Sequence, residues 1–202
     1  YPWAGLDPAT GDPRGYFKGA ISKGYTALAG SSVQVTDLQY NGPATPRMIA
    51  TLGNTVSWKN VSLTFRLMGK FGHYFKKSSI NYTSLFAYKM GHADFSNRWQ
   101  QPGDERTTNV PSMVYPANSS RDRFYTNSEA LIDKGDHIRL KYIALSYDWI
   151  RSGLPLKRIS FHFNVNNIGI LWRSNKDGLD PDYFMGSIPE PTSVTIGIKG
   201  TF

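Results

Sequence analysis

The sequence predicts an all-β fold: an antiparallel, up-and-down segment of a transmembrane β-barrel that carries long extracellular loops. Three observations lead to this prediction. Five stretches alternate apolar and polar residues with a period of two, their charged residues occupy the polar positions, and short connections alternate with long ones. Aromatic residues make up 14% of the 202 residues and charged residues 19%, and long runs of helix-forming residues are missing.

The five alternating stretches are the predicted strands. They span residues 47–60, 61–71, 137–149, 157–167 and 192–202. In the third stretch the apolar positions change phase between Tyr142 and Ile143, which predicts a β-bulge. Strands of about eleven residues, at about 3.3 Å each and tilted by about 45°, rise roughly 25 Å, which is the height of the apolar band of an outer-membrane barrel.

The connections between these strands are of two kinds. Lys59-Asn60 and residues 151–156 form short turns, whereas residues 1–46, 72–136 and 173–191 form long loops. Because adjacent strands place successive connections at opposite ends, one end carries only turns and the other only loops. Outer-membrane barrels have short periplasmic turns and long extracellular loops, so we predict that the three long segments are extracellular.

The apolar residues of these strands fit either lipid or the interior of a soluble β-sandwich, which also alternates. The charges favour lipid, because an Arg or Lys on the lipid face near mid-bilayer costs about 2–4 kcal/mol. At the polar positions lie Arg47, Arg66, Lys70, Arg139, Lys141, Asp148, Arg158 and Lys199. The strand ends carry aromatic residues typical of interfacial girdles, namely Trp58, Trp149, Trp172 and Phe202. A secreted soluble β-sandwich that binds glycans is the alternative.

Polar positions of the strands are expected to face the lumen of the barrel. This lumen-facing set consists of Arg66, Lys70, Arg139, Lys141, His162 and Lys199. Its cations could steer anionic cargo, but pairing with acidic residues of a plug is the favoured interpretation. The last strand resembles the C-terminal signal that the barrel insertion machinery reads during assembly, through Val194, Ile196, Ile198 and the final Phe202.

Signals for catalysis or metal binding are weak. The chain has no cysteine, and His73, His92, His137 and His162 share no metal-ligand spacing. GLDP occurs at 5–8 and 178–181, and turn formation is favoured over Ca²⁺ binding because the spacing of an EF-hand is missing. No nucleophile-elbow, phosphate-binding or zinc-protease motif occurs. We therefore predict no enzyme activity, no cofactor and no metal site. The net charge of +8 would suit an anionic partner, but a solvated basic face is favoured and no nucleic-acid partner is predicted.

An ordered set of motifs extends over nearly all of residues 1–202. Its members are AGLDPATGDPRG at 4–15, residues 40–65, RWQQPGDERTTNVP at 98–111, residues 121–149, NVNNIGILWRSNKDGLDPDYF at 164–184 and IPEPTSVTIGIKGTF at 188–202. In order and spacing this set resembles the C-terminal part of the SusC/RagA family of TonB-linked outer-membrane transporters. The resemblance implies a 22-stranded barrel, plugged by an N-terminal domain, in the outer membrane of a Gram-negative bacterium.

The resemblance also implies a function and partners. Transporters of this family import oligosaccharides or peptides with energy delivered by TonB, and a SusD-like surface lipoprotein covers the extracellular loops. The plug and most barrel strands are missing from this chain, and five strands cannot close a barrel in outer-membrane lipid. We therefore expect the chain to work as part of a longer polypeptide. A structural barrel or adhesin without transport is a further alternative, and it would not bind TonB.

The long loop 72–136 is the predicted functional surface, because aromatic faces and charged side chains bind sugars and peptides by stacking and hydrogen bonding. Contact with substrate or with the lipoprotein is expected for Arg98, Trp99, Asp104, Tyr115, Arg121, Phe124 and Tyr125. For most of them the favoured alternative is a loop that folds on itself and docks against the lipoprotein.

Overall fold

The computed structural model describes residues 1–150, 156–183 and 187–202. The strands in these residues are β1 (Trp3–Leu6), β2 (Pro13–Phe17), β3 (Ala20–Ser22), β4 (Met48–Trp58), β5 (Val61–Phe71), β6 (Tyr74–Lys76), β7 (Ile132–Lys134), β8 (His137–Ile150), β9 (Arg158–Arg173) and β10 (Ser193–Thr201). The helices are α1 (Tyr25–Ala29), α2 (Tyr82–Tyr88) and α3 (Ser119–Thr126). The strands build antiparallel sheets, as the all-β prediction requires. Among the described residues, no helix has the length and hydropathy needed to cross a membrane.

The chain divides into two compact units. Unit 1 comprises Tyr1–Asn41 and Lys76–Asp133, and unit 2 comprises Gly42–Phe75 and Lys134–Phe202. Most of the two segments predicted as long loops, 1–46 and 72–136, therefore folds as unit 1. These segments do not form extended loops because they bury an apolar core of their own.

Unit 2 is built on a five-stranded sheet in the order β10-β9-β8-β5-β4. Trp58 pairs with Val61, so Lys59 and Asn60 form a two-residue turn between β4 and β5. Lys59 has a φ of 51°, which suits the primed turns that two-residue hairpins favour. Most of the second predicted turn, residues 151–155, lies outside the described residues. The sheet has two free edges, so no barrel closes within the part of the chain that the structure describes.

β8 contains a bulge at Lys141. Leu140 pairs with Leu67 and Tyr142 pairs with Arg66, which leaves Lys141 as the extra residue. The sequence predicts this phase change one residue later, after Tyr142. The structure instead places Tyr142 at a polar position, where its ring centroid lies 5.1 Å from the guanidinium carbon of Arg66.

β9 continues beyond residue 167, where the apolar alternation predicts its end. Asn167 adopts a φ of 53°, and the register of β9 against β8 shifts next to it. Past this irregularity Gly169 pairs with Leu140 and Ile170 with Arg139. Pairing with β8 thus carries the strand to Arg173 although the sequence alternation has stopped.

Most apolar side chains of the sheet lie on one face. Leu145 pairs with Leu63 on one side and with Phe163 on the other, and Phe163 pairs with Ile196. Many large apolar residues of this face are exposed, from 36% at Val61 to 80% at Phe202, whereas others, such as Phe65 and Leu67, are partly buried. A β-sandwich would bury such a face against a second sheet. The exposure of this face does not support the β-sandwich alternative for the described strands.

The aromatic residues at strand ends lie at two levels of the sheet. Trp58 ends β4 and Trp149 is the penultimate residue of β8, both at the end of the sheet that carries the Lys59-Asn60 turn. Phe202 follows β10 at the same end. Trp172 lies near the opposite end of the strands, where it pairs with Ile138. This distribution matches two interfacial girdles at either side of an apolar band.

Unit 1 has two buried clusters. Phe124, with 0% exposure, packs with Leu28 and Ala29, and the rings of Tyr1, Trp3 and Tyr25 lie around it at centroid distances of 5.9–6.2 Å. The second cluster contains Ile80, Tyr82 and Val110. β1, β2 and β3 form an antiparallel sheet in this unit.

Candidate functional site

The polar face of the five-stranded sheet carries hydroxyl ladders. Thr55 and Thr64 share a hydrogen bond of 2.9 Å, and Ser57 and Ser62 share one of 2.8 Å. His162 pairs with Ser146 and Gly197 in this set of positions, and Lys199 pairs with Ser160. Paired hydroxyls and neighbouring cations make this face suited to water and polar ligands.

At the end of the sheet opposite the Lys59-Asn60 turn, cationic side chains of β5 and β8 bind carboxylates of the loop that follows β9. Lys70 Nζ lies 2.7 Å from Asp182 Oδ1, and Arg139 Nη2 lies 2.6 Å and 2.7 Å from the two oxygens of Asp180. His137 Nε2 lies 3.3 Å from Asp182 Oδ2. The sequence predicts plug acids as partners of Lys70 and Arg139; the structure supplies acids of the chain itself. We call these five residues the rim cluster.

Two groups at the rim cluster, Asp182 and the neighbouring His73, have lowered pKa values. Burial of Asp182 opposes ionisation, but hydrogen bonds from His137 and Lys70 outweigh it and hold the pKa of Asp182 below its ordinary value. Burial lowers the pKa of His73, and the nearby His137, whose ring centroid is 6.0 Å away, adds to this effect. Neutral His73 and ionised Asp182 are therefore the stable forms at neutral pH.

The second GLDP segment closes into a compact loop that presents its acids to the strands. The Asn175 side chain donates to the carbonyl of Leu179 and accepts from its amide, each at 3.0 Å. Arg173 donates to the carbonyls of Gly178 and Leu179. The acids bind cations, and no metal-binding group of His and acidic residues occurs within residues 1–150, 156–183 and 187–202.

The first GLDP segment is also a turn. Asp7 Oδ1 accepts hydrogen bonds from the amides of Ala9 and Thr10 at 2.9 Å and 3.2 Å. A hydrogen bond from Lys23, 2.8 Å from Asp7, is the main cause that lowers the pKa of Asp7 to about 2. Both copies of the motif are thus held by hydrogen bonds within their own segments.

Arg121 is the central polar residue of unit 1. Its side chain donates to Asp12 Oδ1 at 2.8 Å and to the carbonyl and hydroxyl of Ser112 at 2.9 Å and 3.1 Å. Asn118 caps α3 by accepting from the amides of Ser120 and Arg121. With only 4% exposure, Arg121 joins segments that are over a hundred residues apart in the chain.

The RW…PGD segment forms a closed loop around Trp99. The Trp99 indole donates to Glu105 Oε2 at 3.3 Å, and Asp104 Oδ2 accepts from the amides of Gln100 and Gln101. Gly11 packs so closely on the Trp99 ring that a Cβ there would lie 2.4 Å from it. These residues support the fold of unit 1.

The structure separates the predicted contact residues into two groups. Trp99, Arg121, Phe124 and Tyr125 are buried, so packing explains them and the geometry does not support contact with a substrate or lipoprotein. Tyr115 is 79% exposed, with its ring 5.1 Å from that of Phe86. For Arg98, Asp104 and Tyr115 such contact stays a prediction.

Unit 1 also has an open cleft that the sequence does not predict. It measures about 560 Å³ and is lined by residues that include Tyr1, Tyr16, Phe17, Lys18, Ser32 and Asp37. The two half-exposed aromatic residues of β2, Tyr16 and Phe17, followed by a Lys-Gly turn, are its only local signal in the sequence.

Comparison with known proteins relates this geometry to transporters. No family model matches the chain. The TonB-dependent receptor P26 of Formosa agariphila is 24% identical over 198 residues, and the alignment covers 84% of this chain and 18% of that receptor. The structure of the RagAB peptide importer in the closed-closed state matches 100% of this chain and 22% of the other, with a TM-score of 0.69 and 17% identity.

The open-open state of the same importer matches with a TM-score of 0.66 and 18% identity. The predicted resemblance to SusC/RagA-family transporters is confirmed. The likeness to RagAB supports the fold of this SusC/RagA-like chain. The chain spans about a fifth of the length of these relatives, at 18% of the receptor and 22% of the RagAB chains.

Proposed function

We propose that the SusC/RagA-like chain is part of a TonB-dependent importer of glycan or peptide oligomers in the outer membrane of a Gram-negative bacterium. The observation that carries this proposal is the two-faced sheet. Its apolar face, which includes Leu63, Phe163 and Ile196, is exposed in all five strands, and its other face is lined by hydroxyls and cations. A barrel wall needs such a sheet, since lipid contacts one face and water the other.

The edges of the sheet support the need for further strands. β4 and β10 each have one side without a strand partner in the described residues. An unpaired backbone group in hydrocarbon costs several kcal/mol. In our proposal, neighbouring strands of a longer polypeptide pair with both edges and complete a 22-stranded barrel around a plug.

For unit 1, the loop 173–191 and the last strand, we propose the roles that these parts have in transporters of the SusC/RagA family. Unit 1 and the loop 173–191 are extracellular and lie under a SusD-like lipoprotein, and TonB acts on the remainder of the polypeptide. The alternation Val194, Ile196, Ile198, Phe202 serves in barrel assembly. In this proposal the chain carries out transport, performs no catalysis and needs no cofactor.

Labelling of single cysteines tests the membrane orientation, because the chain itself has no cysteine. The variants Tyr88→Cys in unit 1 and Lys59→Cys in the two-residue turn are made in the complete polypeptide. Intact cells are treated with a membrane-impermeant maleimide. We expect Tyr88→Cys to react in intact cells and Lys59→Cys to react only after the outer membrane is permeabilised.

The same experiment has a clear contrary outcome. Equal labelling of both positions in intact cells would exclude a sheet that spans the membrane. The unmodified protein controls for cysteines elsewhere in the polypeptide. Binding of a TonB C-terminal domain to the purified complete protein then separates an energy-coupled importer from a structural barrel, which would not bind it.

A further inference from the structure

The segment that follows β9 crosses the sheet away from the strand to which it leads. In the sheet order β10-β9-β8-β5-β4, β10 lies on one side of β9, and β8 and β5 lie on the other. Yet Asp180 contacts Arg139 of β8, and Asp182 contacts Lys70 of β5. Residues 174–183 therefore pass over the end of the polar face before the chain reaches β10. We call these residues the strap.

Charged side chains hold the far part of the strap. Its first residue, Ser174, donates from its amide and its hydroxyl to the carbonyls of Asp136 and Lys134. Further along, the contacts change in kind. In the described part of the chain, the bonds that join Asp180 and Asp182 to β5 and β8 come from the cationic and imidazole side chains of the rim cluster. The position of the strap over the sheet therefore depends on charge.

His137 belongs to the residue type whose charge changes most readily near neutral pH. Its side chain is almost completely buried, at 1% exposure. Nδ1 lies 2.7 Å from the carbonyl oxygen of Gly135, and Nε2 lies 3.3 Å from Asp182 Oδ2. A carbonyl and an ionised carboxylate can only accept, so each bond requires a proton on the ring nitrogen. The geometry is therefore that of an imidazolium, which carries a proton on both nitrogens.

The neighbouring His73 lies in a different environment. Its Nδ1 is buried and has no hydrogen-bond partner among the described residues. Gly135 packs against the same ring, where a Cβ would lie 2.3 Å from Nε2. A charged ring with a buried, unpartnered nitrogen is costly, so the neutral form is favoured here. Of the two adjacent histidines, only His137 has an acceptor at each nitrogen.

We propose that protonated His137 keeps the strap closed over the sheet, and that loss of this proton opens the strap as the pH rises. Nδ1 keeps its proton because the carbonyl of Gly135 lies closer to it than Asp182 lies to Nε2. The proton on Nε2 leaves to solvent, and a lone pair then faces the carboxylate of Asp182. Lys70 and Arg139 still attract the strap, so its closed state becomes less populated but does not disappear. This pH response goes beyond the proposed transport and does not depend on it.

The groups around His137 determine the direction of the response. Charged and titratable side chains of the surrounding strands, loops and strap are Lys70, His73, Asp136, Arg139, Arg173, Asp180, Asp182 and Tyr183. Carboxylic acids ordinarily titrate below pH 6, and Lys, Arg and Tyr side chains above pH 8.5. Between these two values the histidines are the groups that change charge. The bond to Asp182 is present while His137 is charged and is lost as the pH rises.

A distance measurement between two nitroxide labels tests the proposal in the purified complete polypeptide in detergent. One label is attached to Lys176→Cys, at an exposed position of the strap, and the other to Lys59→Cys, at the opposite end of the sheet. Other cysteines of the polypeptide are removed. Double electron–electron resonance at pH 6 and pH 8.5 gives the ratio of open to closed molecules. We expect this ratio to be at least about fivefold higher at pH 8.5, because one charge-assisted hydrogen bond is lost.

Variants assign the response to His137 and Asp182. His137→Gln and Asp182→Asn should open the strap at pH 6 and give nearly the same ratio at both pH values. Asp180→Asn is the matched control, because it removes a strap carboxylate that binds Arg139. It should open the strap at both pH values and keep the pH response. His73→Asn should also keep the response, and thermal unfolding of each variant verifies folding.

An equal ratio of open to closed molecules at pH 6 and pH 8.5 in the unmodified protein would overturn the proposal. An undiminished response in Asp182→Asn, or a response abolished in His73→Asn, would also overturn it. The distances are measured without TonB, cargo or lipid, so they are independent of import. Failure of the cysteine-labelling test would remove the import proposal alone, and constant distances would remove the pH response of the strap alone.

Discussion

Unit 1 and the sheet of unit 2 use the same apolar residue types in opposite ways. In unit 1, Phe124 and Ile80 are almost completely buried, whereas in the sheet Ile196 is 76% exposed. The sheet alternates apolar and polar residues along most of each strand, while unit 1 distributes its apolar residues over short elements. The difference teaches that periodicity determines which residues share a face, and that the surroundings determine whether this face is buried.

The two units also differ in charge. Of the 23 Lys and Arg residues, 13 belong to unit 2, together with only six of the 15 Asp and Glu residues. Unit 1 has nearly equal numbers of both signs and pairs several of them, as in Arg121 with Asp12. Nearly all of the net charge of +8 therefore belongs to the unit with the sheet.

Removing one large apolar side chain from each unit tests the contrast most strongly. Phe124→Ala should reduce the free energy of unfolding by about 3–5 kcal/mol, because it leaves a cavity in a closed core. Ile196→Ala, on the exposed face, should cost less than about 1 kcal/mol in detergent. Denaturant titration of both variants in micelles gives the two values. Similar losses would mean that the two regions do not differ in packing.

A cation placed on either face of the sheet sharpens the comparison further. Ile196→Arg should reduce stability in lipid by about 2–4 kcal/mol, because it puts a charge on the apolar face. Thr195→Arg, one residue away on the polar face, is the matched control and should cost little. Folding into lipid vesicles, followed by gel mobility, measures both. Equal behaviour of the two variants would contradict a lipid-facing sheet.

Breaking the buried ion pair of unit 1 should have a somewhat smaller effect. Arg121→Met leaves Asp12 and Ser112 without their donor and should cost about 2–3 kcal/mol. Adding Asp12→Asn should recover part of this loss, because it removes the uncompensated carboxylate. A double-mutant cycle in denaturant measures the coupling, and additive losses would show that the pair contributes no coupling energy.

Mild acid should weaken the rim of the sheet by a small amount. The pKa of His73 is lower in the folded state than in the unfolded state, so unfolding takes up protons and stability falls as the pH decreases through the ordinary value of 6.5. The groups that influence His73 are His137, Asp136, Asp182 and Lys70. The pKa of Asp182 is also lower in the folded state. The stability that Asp182 contributes is therefore lost only as the pH falls below the ordinary carboxyl pKa of 3.8.

Thermal unfolding at pH 7.5 and pH 5.5 measures this effect. His73→Asn should show a smaller decrease of the melting temperature between the two pH values than the unmodified protein. His92→Asn, which alters a histidine of unit 1, is the control. An unchanged pH dependence in His73→Asn would show that another group is responsible.

The strands and the polar positions were predictable because alternation is a local property of the sequence. The bulge was predicted one residue too late, since Tyr142 is aromatic and fits an apolar pattern as well as the polar position it occupies. Unit 1 was not predictable in this way. Its core joins Tyr1 to Phe124 and Asp12 to Arg121, and contacts this distant leave no periodic signal.

The candidate sites show the same limit. Aromatic and Arg-rich stretches looked like a binding surface in 72–136, but Trp99, Arg121 and Phe124 are buried. The composition of a packed polar network and of a ligand surface is similar, and burial separates them only in three dimensions. Most residues that line the cleft come from the hairpin turn at 16–19 and from the segment 27–37. Neither segment is long enough to show a periodic pattern, so the sequence does not indicate that they lie side by side.

The first residues of unit 1 pack against residues that are synthesised much later. Tyr1 and Trp3 stack on Phe124, which is made some 120 residues later. At translation rates of about 5–20 residues per second, the early aromatic residues spend roughly 6–24 s without their partner. A chaperone that prevents aggregation of the exposed aromatic residues would act mainly in this interval, before Phe124 is synthesised.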